Sequence, residues 1–237
     1  MSALPTRRST CVAVALLLLL APAGADAAAR TVLFRSFTGK TIEASLNEAS
    51  QRPAPAVVLV GNLGHSRDDW QAIAQRLADA RITTLAIDLP GAVLPGDPAL
   101  LSGWSDEVRA AVNFLASRPE TRPGAIGILG ASLGASLAAI AASADLQVRS
   151  LALVSPVNDY RGLRIENALR QFGARQAYLV ASRQDPYAAR SARELAKNGP
   201  GPREVQLTDV AGNGTSLLLR EPDLVRLVIE WFQRTLG

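Results

Sequence analysis

Cysteine and histidine are almost absent: the 237-residue chain holds one of each, Cys11 and His65. One thiol forms no internal disulfide and no thiolate metal site, and one imidazole anchors no histidine cluster, so neither a metal nor another cofactor is expected. Long apolar runs are scarce as well. The run at Cys11–Ala21 falls short of the roughly 20 residues that a membrane-crossing helix needs. Basic residues outnumber acidic ones only slightly, giving a formal net charge of +4. They are nearly all arginine, dispersed rather than striped, and no DNA- or RNA-binding motif accompanies them, which argues against a nucleic-acid partner. There is no internal repeat and no low-complexity segment. What remains is an ordinary globular composition, 48% hydrophobic and 19% charged, on a length that suits one sizeable α/β domain.

The first 27 residues read as a secretory signal peptide rather than as part of the fold. Arg7 and Arg8 form a basic start, Leu16–Leu20 dominates the apolar stretch, and Ala23-Gly24-Ala25 and Ala25-Asp26-Ala27 both offer a small-x-small cleavage site. Ser9 and Thr10 follow the arginine pair where a twin-arginine signal would carry apolar residues, so an ordinary secretory start is the simpler reading. Cys11 precedes the leucine run, which argues against a lipoprotein anchor. Cleavage after Ala27 lowers the net charge to about +3 and removes the cysteine. The expectation is an exported protein, periplasmic or secreted, whose mature chain 28–237 is one domain with no membrane span.

Thr31–Phe37 and Thr41–Leu46 alternate apolar and polar residues about Thr38-Gly39-Lys40, the pattern of a half-buried hairpin. Ala56–Gly61 is apolar without alternation, as a strand covered on both faces is, and Ile82–Ile87 and Val148–Val154 read as further buried strands. Gln176–Ala181 and Glu204–Leu207 read as later strands. Helical periodicity marks Arg67–Ala80, Trp104–Ser117, Leu163–Phe172, Tyr187–Lys197 and Asp223–Leu236, with Gly91–Gly103 a Pro/Gly-rich connection. Strict alternation from Ala56 onward predicts a mostly parallel sheet with helices on both faces. Ligands bind such sheets outside the carboxyl ends of the strands. Gly61–His65, Asp88, Ser132, Asp159, Asp185 and Asn213 all fall just past predicted strand ends, on that one edge.

The most informative stretch is Gly130-Ala131-Ser132-Leu133-Gly134, a G-x-S-x-G between the apolar run Ile126–Leu129 and a helix of small residues. Alone the pattern is weak, and Ser132 could serve merely as a helix-start residue. The preceding strand and following helix are the context of a nucleophile elbow, where glycines let strand and helix meet at a sharp turn. It is not a phosphate-binding loop, because the lysine of that motif is missing.

Over essentially the whole mature length the chain resembles the α/β-hydrolase superfamily, most closely its small esterase and dienelactone-hydrolase-like branch. The resemblance rests on Gly61–Trp70, Ala86–Gly91, the elbow, Ser182-Arg183-Gln184-Asp185-Pro186 and Ala211-Gly212-Asn213-Gly214-Thr215, in that order at successive strand ends. It implies an α/β-hydrolase fold, a nucleophile at Ser132, an acid at Asp185, and an oxyanion hole made by the backbone N–H groups of Leu63 and Leu133. Asp159 is a weaker alternative for the acid. Asp185 also reads as a helix cap ahead of Pro186. Between Pro156 and Gln176 there is room for one helix but no lid domain.

The resemblance also implies a histidine where this chain has Asn213. An amide hydrogen-bonds but has no useful basicity near neutral pH, so it cannot take the serine proton and return it to a leaving group. His65 is the only imidazole available to substitute, from the oxyanion loop and with an orienting partner of its own; otherwise it is a loop residue ahead of a helix. The leading expectation is therefore an exported protein of carboxylic-ester-hydrolase ancestry whose serine-hydrolase activity is lost or very weak, a pseudoenzyme that binds an apolar ester or acyl-type molecule or a protein partner of unspecified kind. The alternatives are an active carboxylesterase with Ser132 as nucleophile and His65 as base, and a scaffold that serves only as an interaction module.

Overall fold

Strand β1 (Arg30–Arg35) is the first element among the described residues, and hairpin pairing with β2 (Thr41–Asn47) sets Phe34 opposite Ile42. The computed structural model describes residues 29–91, 93–197 and 199–237. The segment 1–27, expected to be a signal peptide, lies outside the described residues. After β2 come β3 (Ala54–Val60), β4 (Thr83–Ile87), β5 (Thr121–Ala131), β6 (Val148–Val154), the two-residue strands β7 (Asp159–Tyr160) and β8 (Leu163–Arg164), then β9 (Gln176–Ser182) and β10 (Arg203–Thr208). Eight of these form one sheet in the order β1-β2-β4-β3-β5-β6-β9-β10. Only the β1–β2 and β2–β4 pairs are antiparallel; every later pair is parallel, as the alternation of strands and helices predicts.

The apolar strands divide their side chains between two cores. In β3, Val58 and Val60 face one layer while Val57 and Leu59 face the other, the two-residue period of a pleated strand covered on both sides. Helices α2 (Pro98–Gly103), α3 (Ser105–Ala116), α4 (Leu133–Ala144), α5 (Glu166–Phe172) and α6 (Pro186–Leu195) contribute to the first layer. Helices α1 (Gln71–Asp79), α7 (Thr215–Arg220) and α8 (Pro222–Leu236) fill the second, around Trp70, Trp231 and Phe232. Helix α4 is Ala-rich and buried on almost every side, so it has no polar face to show and sits at the centre of its layer.

Three local expectations need correction. The helix expected over Leu163–Phe172 begins only at Glu166, because Asp159–Tyr160 and Leu163–Arg164 close a small antiparallel ribbon about Arg161-Gly162, both at positive φ. The connection Gly91–Gly103 contains α2, started by Asp97, whose carboxylate accepts from Ala99 N at 2.8 Å, with Pro98 in the first turn. Helix α7 was not expected. Its six residues are too few to show a period, and only Gly214 before it and Pro222 after it mark its limits.

Tyr178 on β9 stacks on Trp231 of α8, ring centroids 5.2 Å apart, and is 6% exposed. Burial, reinforced by the charge of Glu204, pushes its phenol up to about 12. The unfolded chain releases this proton near pH 10, the native one two units later, so the linked stability is whole below pH 10 and is lost on rising toward 12. On the order of 2 kcal/mol is at stake. Urea denaturation at stepped alkaline pH is expected to show this decline, and Tyr178→Phe to remove that part of it.

Candidate active site

The chain runs outward from β3 through α1 to β4, then returns through α2 and α3 to β5 on the other side of β3. Helix α1 lies in one layer and α3 in the other, so the connections leave β3 and β5 on opposite faces. A crevice opens at such a reversal, beyond the carboxyl ends of the two strands. The loop Gly61–Ser66 follows β3 there, and Ser132 follows β5.

Ser132 stands between β5 and α4 with φ 55° and ψ −117°, a left-handed backbone rare for a residue with a side chain. Its N–H donates to Val154 O at 2.9 Å, so the end of β6 holds the turn. The elbow glycines are required by space. A Cβ on Gly130 would meet Gly134 O and lie 2.7 Å from Ala135 Cα; one on Gly134 would meet the carbonyl oxygens of Val60 and Gly61. Strand, turn and helix are thus in backbone contact, and β3 delivers its loop beside the serine. Ser132 is 8% exposed.

Asp185 follows β9 and caps α6: its Oδ1 accepts from Ala188 N at 3.0 Å. Its other oxygen accepts from Asn213 Nδ2 at 2.8 Å. A carboxylate can only accept here, so the asparagine must turn its NH2 toward it. Each oxygen of Asp185 thus has a partner of its own, one in the cap of α6 and the other in the side chain of Asn213. Asn213 and Gly214 follow β10. Gly214, at φ 56°, lies so near the elbow that a Cβ on it would sit 3.5 Å from Ser132 Cβ. Its N–H donates at 3.0 Å to Oγ of Ser155, a wholly buried residue at the end of β6 that is itself at φ 51°. Ser216 Oγ accepts from Asn213 N at 3.2 Å and donates to Asn213 O at 2.8 Å.

The oxyanion side is less open than the resemblance implies. Leu133 begins α4, and its N–H is one of the donors that a helix start leaves without an intrahelical acceptor. The N–H of Leu63 instead donates to Asn62 Oδ1 at 2.8 Å. That side chain must rotate away before Leu63 can serve a ligand oxygen. His65 lies further along the loop, its side chain 47% exposed, with Nδ1 2.6 Å from Asp69 Oδ2. Asp69 is the orienting partner that a relocated base would need. Among the described residues no hydrogen bond joins the Ser132 hydroxyl to His65 or to Asn213.

Ser132, Asp185, Asn213 and the Gly61–Ser66 loop thus meet at one sheet edge. Asp159 does not join them. Its carboxylate accepts from Gly162 N and Arg164 Nε within the β7–β8 ribbon, and these contacts, the Gly162 N–H first, hold it below the usual carboxylate range. Asp88 is likewise engaged elsewhere, accepting from Arg67 N at 2.7 Å and from its guanidinium. Sequence reasoning missed Ser155, Ser216 and Asn62. Nothing marks a serine after an apolar strand as the anchor of a loop 59 residues downstream. Among the described residues no cluster of three or more His, Cys, Asp or Glu could hold a metal ion, and no helix is long and apolar enough to cross a membrane.

Solved structures share this architecture at low identity. A dienelactone hydrolase from Anabaena variabilis is 19% identical with a TM-score of 0.72, covering 88% of this chain and 99% of its own. The thermophilic carboxylesterase EstE1 from a metagenomic library is 17% identical with a TM-score of 0.70, covering 90% of each chain. The Pyrococcus furiosus esterase Pf2001 is 14% identical with a TM-score of 0.71, covering 88% of this chain and 93% of its own. At such identities these likenesses speak for the fold alone. No curated protein matches the sequence. The profile described as "Alpha/beta hydrolase family" matches residues 56–234, from the third strand of the sheet into the last helix, and the chain belongs to that family.

Proposed function

We propose that the protein is an exported member of the family, of carboxylic-ester-hydrolase ancestry, that binds an ester- or acyl-type small molecule at Ser132 without turning it over at an enzymatic rate. One observation carries this reading: the group donating to Asp185 at 2.8 Å is the amide of Asn213. In a serine hydrolase the acid holds an imidazole that takes the serine proton during attack and passes it to the leaving group. Here the acid holds a group that cannot be protonated in that range, so the relay has no middle member. The capped N–H of Leu63 points the same way, since oxyanion donors act by being preorganised. Esters are the favoured ligand class because two of the solved structures sharing the fold are described as a carboxylesterase and an esterase. The segment 1–27 supports export, and an N-terminus at Ala28 on the secreted protein is the check.

The test is hydrolysis of p-nitrophenyl acetate. The unaltered protein is expected to stay within about tenfold of Ser132→Ala, both near the small residual rate that binding and backbone donors alone provide. A second reading, an active carboxylesterase with His65 as base, draws on the His65–Asp69 pair at 2.6 Å. Clear turnover that disappears in both Ser132→Ala and His65→Ala would establish it and sink the first. Should no serine-directed phosphonate label Ser132 and no acyl ester bind, the scaffold-only reading takes over.

A further inference from the structure

The loop that brings position 213 to the nucleophile carries an Asn-Gly step, and that dipeptide has a chemistry of its own. The backbone nitrogen of the residue after an asparagine can attack the side-chain carbonyl carbon when nothing crowds it, and glycine, with no Cβ, crowds it least. The new C–N bond closes a five-membered imide, the C–NH2 bond breaks, and ammonia leaves carrying the proton from the attacking nitrogen. Water then opens the imide at either carbonyl, leaving an aspartyl or an isoaspartyl residue. Nothing beyond water is consumed.

Each group that must move for this reaction is held in the folded protein. The attacking nitrogen, Gly214 N, donates to Ser155 Oγ at 3.0 Å, and Ser155 is wholly buried. The departing amide of Asn213 donates to Asp185 at 2.8 Å. Asn213 N and O are both tied to Ser216 Oγ, at 3.2 and 2.8 Å. Asn213 itself is exposed, so solvent reaches it and any protection is conformational rather than steric. The reaction also removes what holds the loop. A carboxylate at position 213 can no longer donate to Asp185, and two carboxylates at that separation must share a proton or part. Because Gly214 lies close enough to the elbow that a Cβ on it would sit 3.5 Å from Ser132 Cβ, parting carries the loop away from the nucleophile.

We propose that Asn213-Gly214 is a latent deamidation site, locked in the folded protein by Ser155, Ser216 and Asp185, whose conversion to an acid is a one-way change in the candidate active site. The inference rests on the loop contacts and not on whether the site hydrolyses esters. The test is peptide mapping of the full-length protein held in mildly alkaline buffer, following the mass gain of amide-to-acid exchange at position 213. In the urea-denatured chain this step is expected to convert at about the rate of the chain's other Asn-Gly, Asn198-Gly199, which calibrates the intrinsic chemistry. In the folded protein conversion at 213 is expected to be at least about tenfold slower than in urea, the lag of a locally closed segment. Ser155→Gly, which deletes the acceptor and suits the positive φ, and Ser216→Ala, which leaves the core untouched, are each expected to return a several-fold part of that protection. If Ser155→Gly does not fold, Ser216→Ala carries the same comparison. Equal rates at 213 in the folded and denatured chains would overturn the proposal, as would folded variants that convert no faster than the parent.

Discussion

Replacing Asn213 by histidine is expected to raise hydrolysis of a small activated ester by about a thousandfold or more. Loss of the histidine from a working triad costs on the order of a million-fold in turnover. A carboxylate partner for an imidazole is already in place beside position 213. Asp185 Oδ2 already accepts a hydrogen bond from this side chain at 2.8 Å, so it would meet an imidazole N–H and fix its tautomer. Gly214, next in sequence, lies close enough to the elbow that a Cβ on it would sit 3.5 Å from Ser132 Cβ, so the ring's second nitrogen is expected on the serine side. Recovery is expected to stop short of the full factor because Leu63 N–H is engaged by Asn62, and one missing oxyanion donor costs roughly a hundred- to a thousandfold. Steady-state kinetics on p-nitrophenyl acetate, with Asn213→His/Ser132→Ala as the control, gives the answer. No gain in a folded Asn213→His protein would mean that the loop does not present position 213 to the serine.

Gly134→Ala is expected to be the most damaging single methyl in the molecule, costing upwards of about 4 kcal/mol or preventing folding. Overpacking usually costs about 1–3 kcal/mol because flexible side chains can yield. Here the added carbon overlaps the carbonyl oxygens of Val60 and Gly61 and lies 2.7 Å from Val60 C. Val60 ends β3, which is paired on both sides, by β4 and β5, so its backbone cannot retreat without breaking two ladders. Gly39→Ala supplies the comparison. It stands at φ 82° with no atom within 4 Å of the added carbon, so it bears only the left-handed backbone cost of roughly 1–2 kcal/mol. Urea midpoints of the two variants separate steric overlap from backbone strain. A Gly134→Ala protein as stable as Gly39→Ala would contradict the backbone contact between β3 and α4.

Local pattern was enough to find most of the fold. The unalternating apolar run Ala56–Gly61 is β3, and the mostly apolar stretches Ile82–Ile87 and Val148–Val154 are β4 and β6, to within a residue or two, because apolar residues dominate strands buried on both faces. The glycine spacing of the elbow is legible for a similar reason: short-range geometry forbids any other residue there. Short elements were not legible. Helix α7 and the β7–β8 ribbon have too few residues to show a period; they lie in the connections from β10 to α8 and from β6 to α5.

The amino-acid sequence by itself determined that this is a mostly parallel α/β protein with a serine at a strand-to-helix turn, and that asparagine stands at position 213, where the family resemblance implies a histidine. Those conclusions depend on residue identity and near-neighbour spacing, which the linear order carries. Only the tertiary structure decided that Asn213 donates to Asp185, that Asn62 engages Leu63 N–H, that His65 pairs with Asp69, and that Ser155 anchors the loop over Ser132. The first and last of these join residues 28 and 59 positions apart, and the choices of Asn62 and His65 depend on where their loop comes to rest. A hydrogen bond of about 3 Å is specified by where two backbones end up, and strand pairing far from either residue sets that.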